Sequence, residues 1–195
     1  MGKARAPVAA WGAALLMPVL LAACANLPPP QVPLTLPRSA DPGGLADPTR
    51  GAVITSAYVF GNPASLRGDP AGVAEALGRL EFITVELDVG PRWIGIDPTT
   101  ILMLQAGRAE ARAAFGIDPA APPQQVVDSL FAVAVALRAG DREAALAALA
   151  PIVPPGQAEA VLARMAELPV LPRAAAATRR AQAAMLDMGQ RRFGF

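Results

Sequence analysis

Apolar residues recur at helical spacing from Pro48 to the end of the chain, and the interruptions fall where helices start and stop. Asp47-Pro48, Asp69-Pro70 and Asp97-Pro98 each precede such a stretch. An aspartate carboxylate accepts from the free N–H groups of a first turn, and proline fits that turn because its missing N–H would have no partner there. Helices are therefore predicted to begin near 48, 70 and 98. The first ends near Phe60, ahead of Gly61-Asn62-Pro63. The second places Val73, Leu77, Leu80, Ile83 and Leu87 on one stripe. Its later half, Phe82 to Leu87, is rich in residues that favour strands. The unbroken stripe and the Asp-Pro start favour helix.

The third helix runs to Phe115, with Gly116 as its terminator. A fourth starts near Pro123 and carries Val126, Val127, Leu130, Phe131, Ala134 and Leu137 on a broad apolar face, with Gly140 ending it. Asp141 caps a fifth, Arg142 to Ala150. The segment "ALRAGDREAALAAL" looks like the helix–turn–helix junction of tetratricopeptide-type repeats, but it occurs once, which implies one helical hairpin and not a solenoid. A sixth helix spans about 156–168 and an alanine-rich seventh spans 172 to about 188. Short connections between amphipathic helices predict an all-α fold: a single compact bundle of six to seven helices over 48–190, with 191–195 as a C-terminal tail. A chain of that length buries a sizeable core without disulfides.

The first 47 residues follow other rules. Lys3 and Arg5 open the chain with no acid, Ala6 to Leu20 is apolar or small, and Ala22-Ala23 lead to Cys24, the only cysteine. A basic start, an apolar run and small residues before a processing point make a secretory signal peptide, here 1–23. Leu21-Ala22-Ala23-Cys24 resembles the lipobox of bacterial lipoproteins. The resemblance implies that the Cys24 sulfur receives a diacylglycerol, that cleavage occurs just before it, and that the new N-terminus is acylated, with palmitate-type chains as the membrane anchor. Ala25, not aspartate, follows the cysteine, and this resemblance favours the outer membrane, with the folded part in the periplasm. Three rival readings of Cys24 are a buried thiol, half of an intermolecular disulfide, and a place in a membrane-spanning helix over 6–27. Pro18 and Pro28-Pro29-Pro30 argue against the long helix.

Residues 24–47 carry the lipidated cysteine and a proline-rich tether with a Gly43-Gly44 hinge. In polyproline II form it would reach about 60–70 Å.

Composition narrows the chemistry. No histidine is present. Removal of the leader takes away Lys3, the only lysine, and leaves fifteen arginines against sixteen acids. A charge near zero supplies no pull toward nucleic acid. Triads built on histidine, histidine or cysteine zinc sites and lysine Schiff bases are all excluded. No phosphate-binding or dinucleotide-binding glycine loop occurs, and no cofactor is expected. Only carboxylates, arginines, hydroxyls and Tyr58 remain.

Two places hold candidate site residues. Arg108 lies on the apolar stripe of Ile101, Leu104, Ala111 and Phe115. It must snorkel, line a cavity, or pair with an acid, for which Glu81 and Glu86 on the preceding helix are the candidates. The connection "GPRWIGIDP" holds Arg92 and Trp93, which form either one wall of a partner or ligand site or a plug that closes the core. Arg173, Arg179, Arg180, Arg191 and Arg192 face Asp187 alone on the last helix, a basic patch suited to anionic polymer or lipid. The leading functional expectation is a membrane-anchored helical module that binds another envelope protein, without enzymatic activity. The second is a lipid or small-molecule carrier with an apolar cavity between helices. The third is a carboxylate-based hydrolase, for which no converging carboxylate pair is visible.

Overall fold

Four aspartates start four helices. Asp47 accepts from the Arg50 N–H at 3.0 Å, Asp69 from Gly72 at 2.9 Å, Asp97 from Thr99 at 3.0 Å and Asp141 from Ala144 at 2.9 Å. The computed structural model describes residues 31–40 and 47–193, excepting the side chains of 191–193. Its helices are α1 (Pro48–Gly61), α2 (Pro70–Val89), α3 (Pro98–Phe115), α4 (Pro123–Arg138), α5 (Arg142–Leu149), α6 (Ala158–Arg164) and α7 (Pro172–Phe193). Short 3-10 turns occupy Arg38–Ala40, Pro63–Leu66, Pro91–Trp93 and Ala150–Ile152. Among the described residues there is no strand, and Phe82 to Leu87 continue α2 without a break. Helical hydrogen bonding outweighs the strand preference of these side chains because all but Glu86 pack as buried neighbours.

The helices belong to one compact unit, Val32–Phe195. Helix α2 is its axis. It packs on α4 and on both α1 and α3, while α7 lies across α1 and α3; α5 turns back on α4, and α6 on α5. Fifteen of the twenty α2 residues are buried, so it is enclosed on all sides and not along one stripe only. Small residues let the axes approach. A Cβ on Gly78 would lie 2.9 Å from the Phe131 ring of α4, and one on Gly107 would lie 2.9 Å from the Ala174 Cα of α7. Ala174, Ala177, Thr178 and Ala181 of α7 are fully buried.

Two terminators bear on the site. Gly140, with φ +73°, ends α4: its N–H donates to Leu137 O and the Asp141 N–H donates to Ala136 O, which turns the chain into α5. Gly116, with φ +76°, ends α3, and Arg164 of α6 donates to the exposed carbonyl of Phe115 at 3.0 Å. A cation there also suits the negative end of the helix dipole.

The boundaries differ from expectation in three places. Helix α6 is shorter than 156–168, because the chain leaves the helix after Arg164 to let Ala166 O accept from Gly68 N at 3.1 Å. Met165 and Leu168 still reach the core. Helix α7 extends through Phe193, into the expected tail. Over 32–40 the expected tether is instead part of the folded unit. Leu34 is buried in the core, the Thr35 N–H donates to Gln124 Oε1 at 2.9 Å, and Gln124 Nε2 donates back to Thr35 O at 3.0 Å. Prolines exclude this segment from a helix or a sheet ladder, but a side-chain amide on α4 satisfies its backbone in extended form. The signal peptide, Cys24 and residues 41–46 lie outside the described residues. No helix among the described residues is long and apolar enough to cross a membrane.

Candidate functional site

Three charged side chains meet where α2 crosses α3. Glu81, on α2, has a side chain only 4% exposed. Arg112, near the end of α3, grips it with both carboxylate oxygens engaged: Nε donates to Oε1 at 2.5 Å and Nη2 to Oε2 at 2.9 Å. Nη1 of Arg112 turns the other way and donates to the carbonyls of Asp118, Pro119 and Ala121 at 3.0, 3.1 and 3.0 Å. One guanidinium thus neutralises the buried carboxylate and holds the α3–α4 connection in place.

Arg108, one turn earlier, makes the ion pair expected of it with Glu81, but only at long range. Its Nη1 lies 4.0 Å from Glu81 Oε2, too far for a hydrogen bond, and is buried with no hydrogen-bond partner among the described residues. Burial lowers the proton affinity of this guanidinium first; Glu81 opposes that shift, Arg112 adds to it, and Asp88 opposes it again. Arg108 lines a cavity of about 270 Å³ with Gln105, Ala109, Arg112, Ala113, Ile117 and Pro119. Glu86 is not its partner. Its electrostatic neighbours are Arg92 and the Trp93 indole.

Trp93 is buried, 6% exposed, and closes the core below the Pro91–Trp93 turn. Arg92 lies over the Trp93 ring, 5.1 Å from its centre, and donates from Nη2 to Asp47 Oδ2 at 2.6 Å. The α1 cap and the α2–α3 corner are therefore tied together. Burial raises the Asp47 carboxyl, but the hydrogen bonds and charges of Arg92 and Arg50 outweigh it and hold the group below its ordinary range. Burial pushes the Glu86 carboxyl above its ordinary range, against the opposing pull of Arg92 and Trp93. The Trp93 N–H faces that carboxyl without reaching hydrogen-bond geometry.

Beside Trp93 the surface opens into a groove of about 460 Å³, lined by Asp88, Trp93, Ile94, Gly95, Ile96, Pro98, Ile101 and Leu102. Ile94 is 80% exposed and Leu102 is 65% exposed. The tryptophan forms the floor of this groove, and two side chains not singled out from the pattern form its lips. The signal was present in "RWIGI", where Ile94 follows a buried tryptophan and precedes a glycine with φ +94°, in a turn too short to bury both.

Three other acids are engaged elsewhere. Glu75 pairs with Arg79 at 3.1 Å and with Arg138, Glu110 accepts from the Ala174 N–H at 2.9 Å to cap α7, and Asp97 pairs with Arg180. The last contact removes one arginine from the expected basic patch, and the side chains of Arg191 and Arg192 lie outside the described residues. Among the described residues no group of three histidines, cysteines or carboxylates is placed to hold a metal ion. No protein-family model matches the chain, and no curated protein or solved structure is significantly similar to it.

Proposed function

We propose that the mature chain is an envelope lipoprotein, anchored in the outer membrane through acyl chains on Cys24, whose helical unit docks another envelope protein and performs no catalysis. The observation that carries this reading is the groove at the α2–α3 corner. Its lips, Ile94 and Leu102, are exposed apolar side chains over a rigid tryptophan floor. Apolar anchors around a buried aromatic are the usual energetic centre of a protein interface. The interior supports docking on the surface over carriage of a ligand between helices. Phe115, Phe131, Leu80, Ile83 and Leu104 are fully buried and fill the space where a carrier would keep its cavity. The anchor rests on the lipobox and basic leader alone. The non-catalytic reading rests on the absence of histidine, the loss of lysine with the leader, and the arginine pairing of Glu75 and Glu81.

Two measurements test it in intact envelopes. A photoreactive group at Leu102 is expected to capture one defined protein, and Ile94→Asp is expected to abolish the capture while circular dichroism stays helical. Capture that survives Ile94→Asp removes the groove from the function. Cys24→Ser is expected to leave the precursor uncleaved and free of lipid by mass spectrometry; an unmodified Cys24 in the native membrane fraction overturns the anchor.

A further inference from the structure

The cluster at the α2–α3 crossing leaves one guanidinium without a hydrogen bond to its carboxylate. Two guanidiniums, Arg108 and Arg112, face one buried carboxylate, Glu81, which Arg112 already holds through both oxygens. The Nη1 of Arg112 is taken up by three carbonyls. Arg108 has capacity. Its side chain is only 20% exposed, and among the described residues Nη1 has no hydrogen-bond partner and stands 4.0 Å from Glu81 Oε2. A guanidinium removed from water without a full counter-charge is unfavourable, and a free arginine elsewhere on the surface would swing out.

Arg108 instead lies against a cavity of about 270 Å³ whose walls are of two kinds. Gln105, Arg108 and Arg112 supply polar groups; Ala109, Ala113, Ile117 and Pro119 are apolar. Small-molecule sites combine few placed polar groups with apolar walls, and this volume is just below their usual range of about 300–1,000 Å³. We infer that this cavity is a binding site for a small organic monoanion, a carboxylate carried on a short apolar chain, with Arg108 as the residue that binds the carboxylate. Glu81 and Asp88 already act on Arg108, so a monoanion meets less repulsion there than a phosphate dianion. The flat fork of a guanidinium matches the two oxygens of a carboxylate. The apolar tail would lie on Ile117 and Pro119, and the Gln105 amide is placed to help orient the head. The site is separate from the Trp93 groove and does not depend on the docking reading.

Hexanoate, acetate and inorganic phosphate, each titrated against the full chain and followed by calorimetry and thermal midpoint, test this. Hexanoate is expected to bind saturably and raise the midpoint, with acetate and phosphate at least about tenfold weaker. Arg108→Gln is expected to weaken hexanoate about tenfold or more without lowering the midpoint of the free protein. Ala113→Leu fills the cavity from an exposed helix position, keeps both arginines, and is expected to weaken hexanoate as strongly. Arg142→Gln, which removes an arginine from an exposed pair with Glu159, is expected to bind hexanoate like the natural chain. The inference is overturned if hexanoate does not bind, if phosphate binds in preference to it, or if Ala113→Leu binds hexanoate unchanged.

Discussion

Glu81 lies between two guanidiniums, and only one of them hydrogen-bonds it. Arg112→Met is therefore expected to be costly, because it strands a buried carboxylate and frees the 118–121 connection together; breaking a buried pair from one side costs about 3–5 kcal/mol. Adding Glu81→Gln should recover part of that loss, measurable by urea unfolding. Arg108→Met removes a poorly matched charge and keeps the stem, so stability should stay level or rise. A large loss for Arg108→Met and a small one for Arg112→Met would invert the assignment. Glu86 supplies a test with pH. A carboxyl raised in the folded state binds protons more tightly there than in the unfolded chain. Its contribution is therefore fully present below its ordinary value and is lost as pH rises through the raised one. Glu86→Gln is expected to raise the thermal midpoint near pH 7, and that gain should vanish toward about pH 4. A gain that is the same at both pH values would show that charge is not its cause.

Helix starts were legible because their causes are local. Each aspartate cap bonds an N–H two or three residues ahead, a distance along the chain that no tertiary contact alters. Helix crossings were not legible, since a glycine in a helix looks the same whether it faces water or another backbone. Gly61 and Gly107 separate these cases. Around Gly61 nothing lies within 4 Å of an added Cβ, and Gly61→Ala should stabilise by about 0.5–1 kcal/mol through helix preference alone. At Gly107 the added carbon meets Ala174 Cα at 2.9 Å, Ala174 N at 3.2 Å and Arg173 O at 3.3 Å, all backbone atoms that cannot swing aside. Gly107→Ala should destabilise by about 1–3 kcal/mol despite the same local gain, as the α3–α7 crossing is forced apart. Equal melting shifts for the two substitutions would show that the crossing is not tight.

For the whole molecule, the extended segment 32–40 is a strap on α4. A chain shortened to begin at Asp47 loses the buried Leu34 and the two-way contact between Thr35 and Gln124. It should remain helical but be less stable by about 1.5–3 kcal/mol, the worth of one buried leucine side chain, in urea unfolding against a chain beginning at Val32. No change would mean that the strap adds nothing to the unit.

The all-α class, the positions of the helix starts and the hairpin at Gly140 follow from the sequence by itself. Each depends on spacing, capping or chain order within a few residues, and short-range physics is written along the chain. The enclosure of α2, the choice of Arg112 over Arg108 as the hydrogen-bonded partner of Glu81, the docking of Leu34 and the exposure of Ile94 and Leu102 were decided only by the tertiary structure. Arg108 and Arg112 are one turn apart on the same helix and chemically identical. What separates them is less than two ångströms of reach and three carbonyls from a connection that folds back beside the helix end.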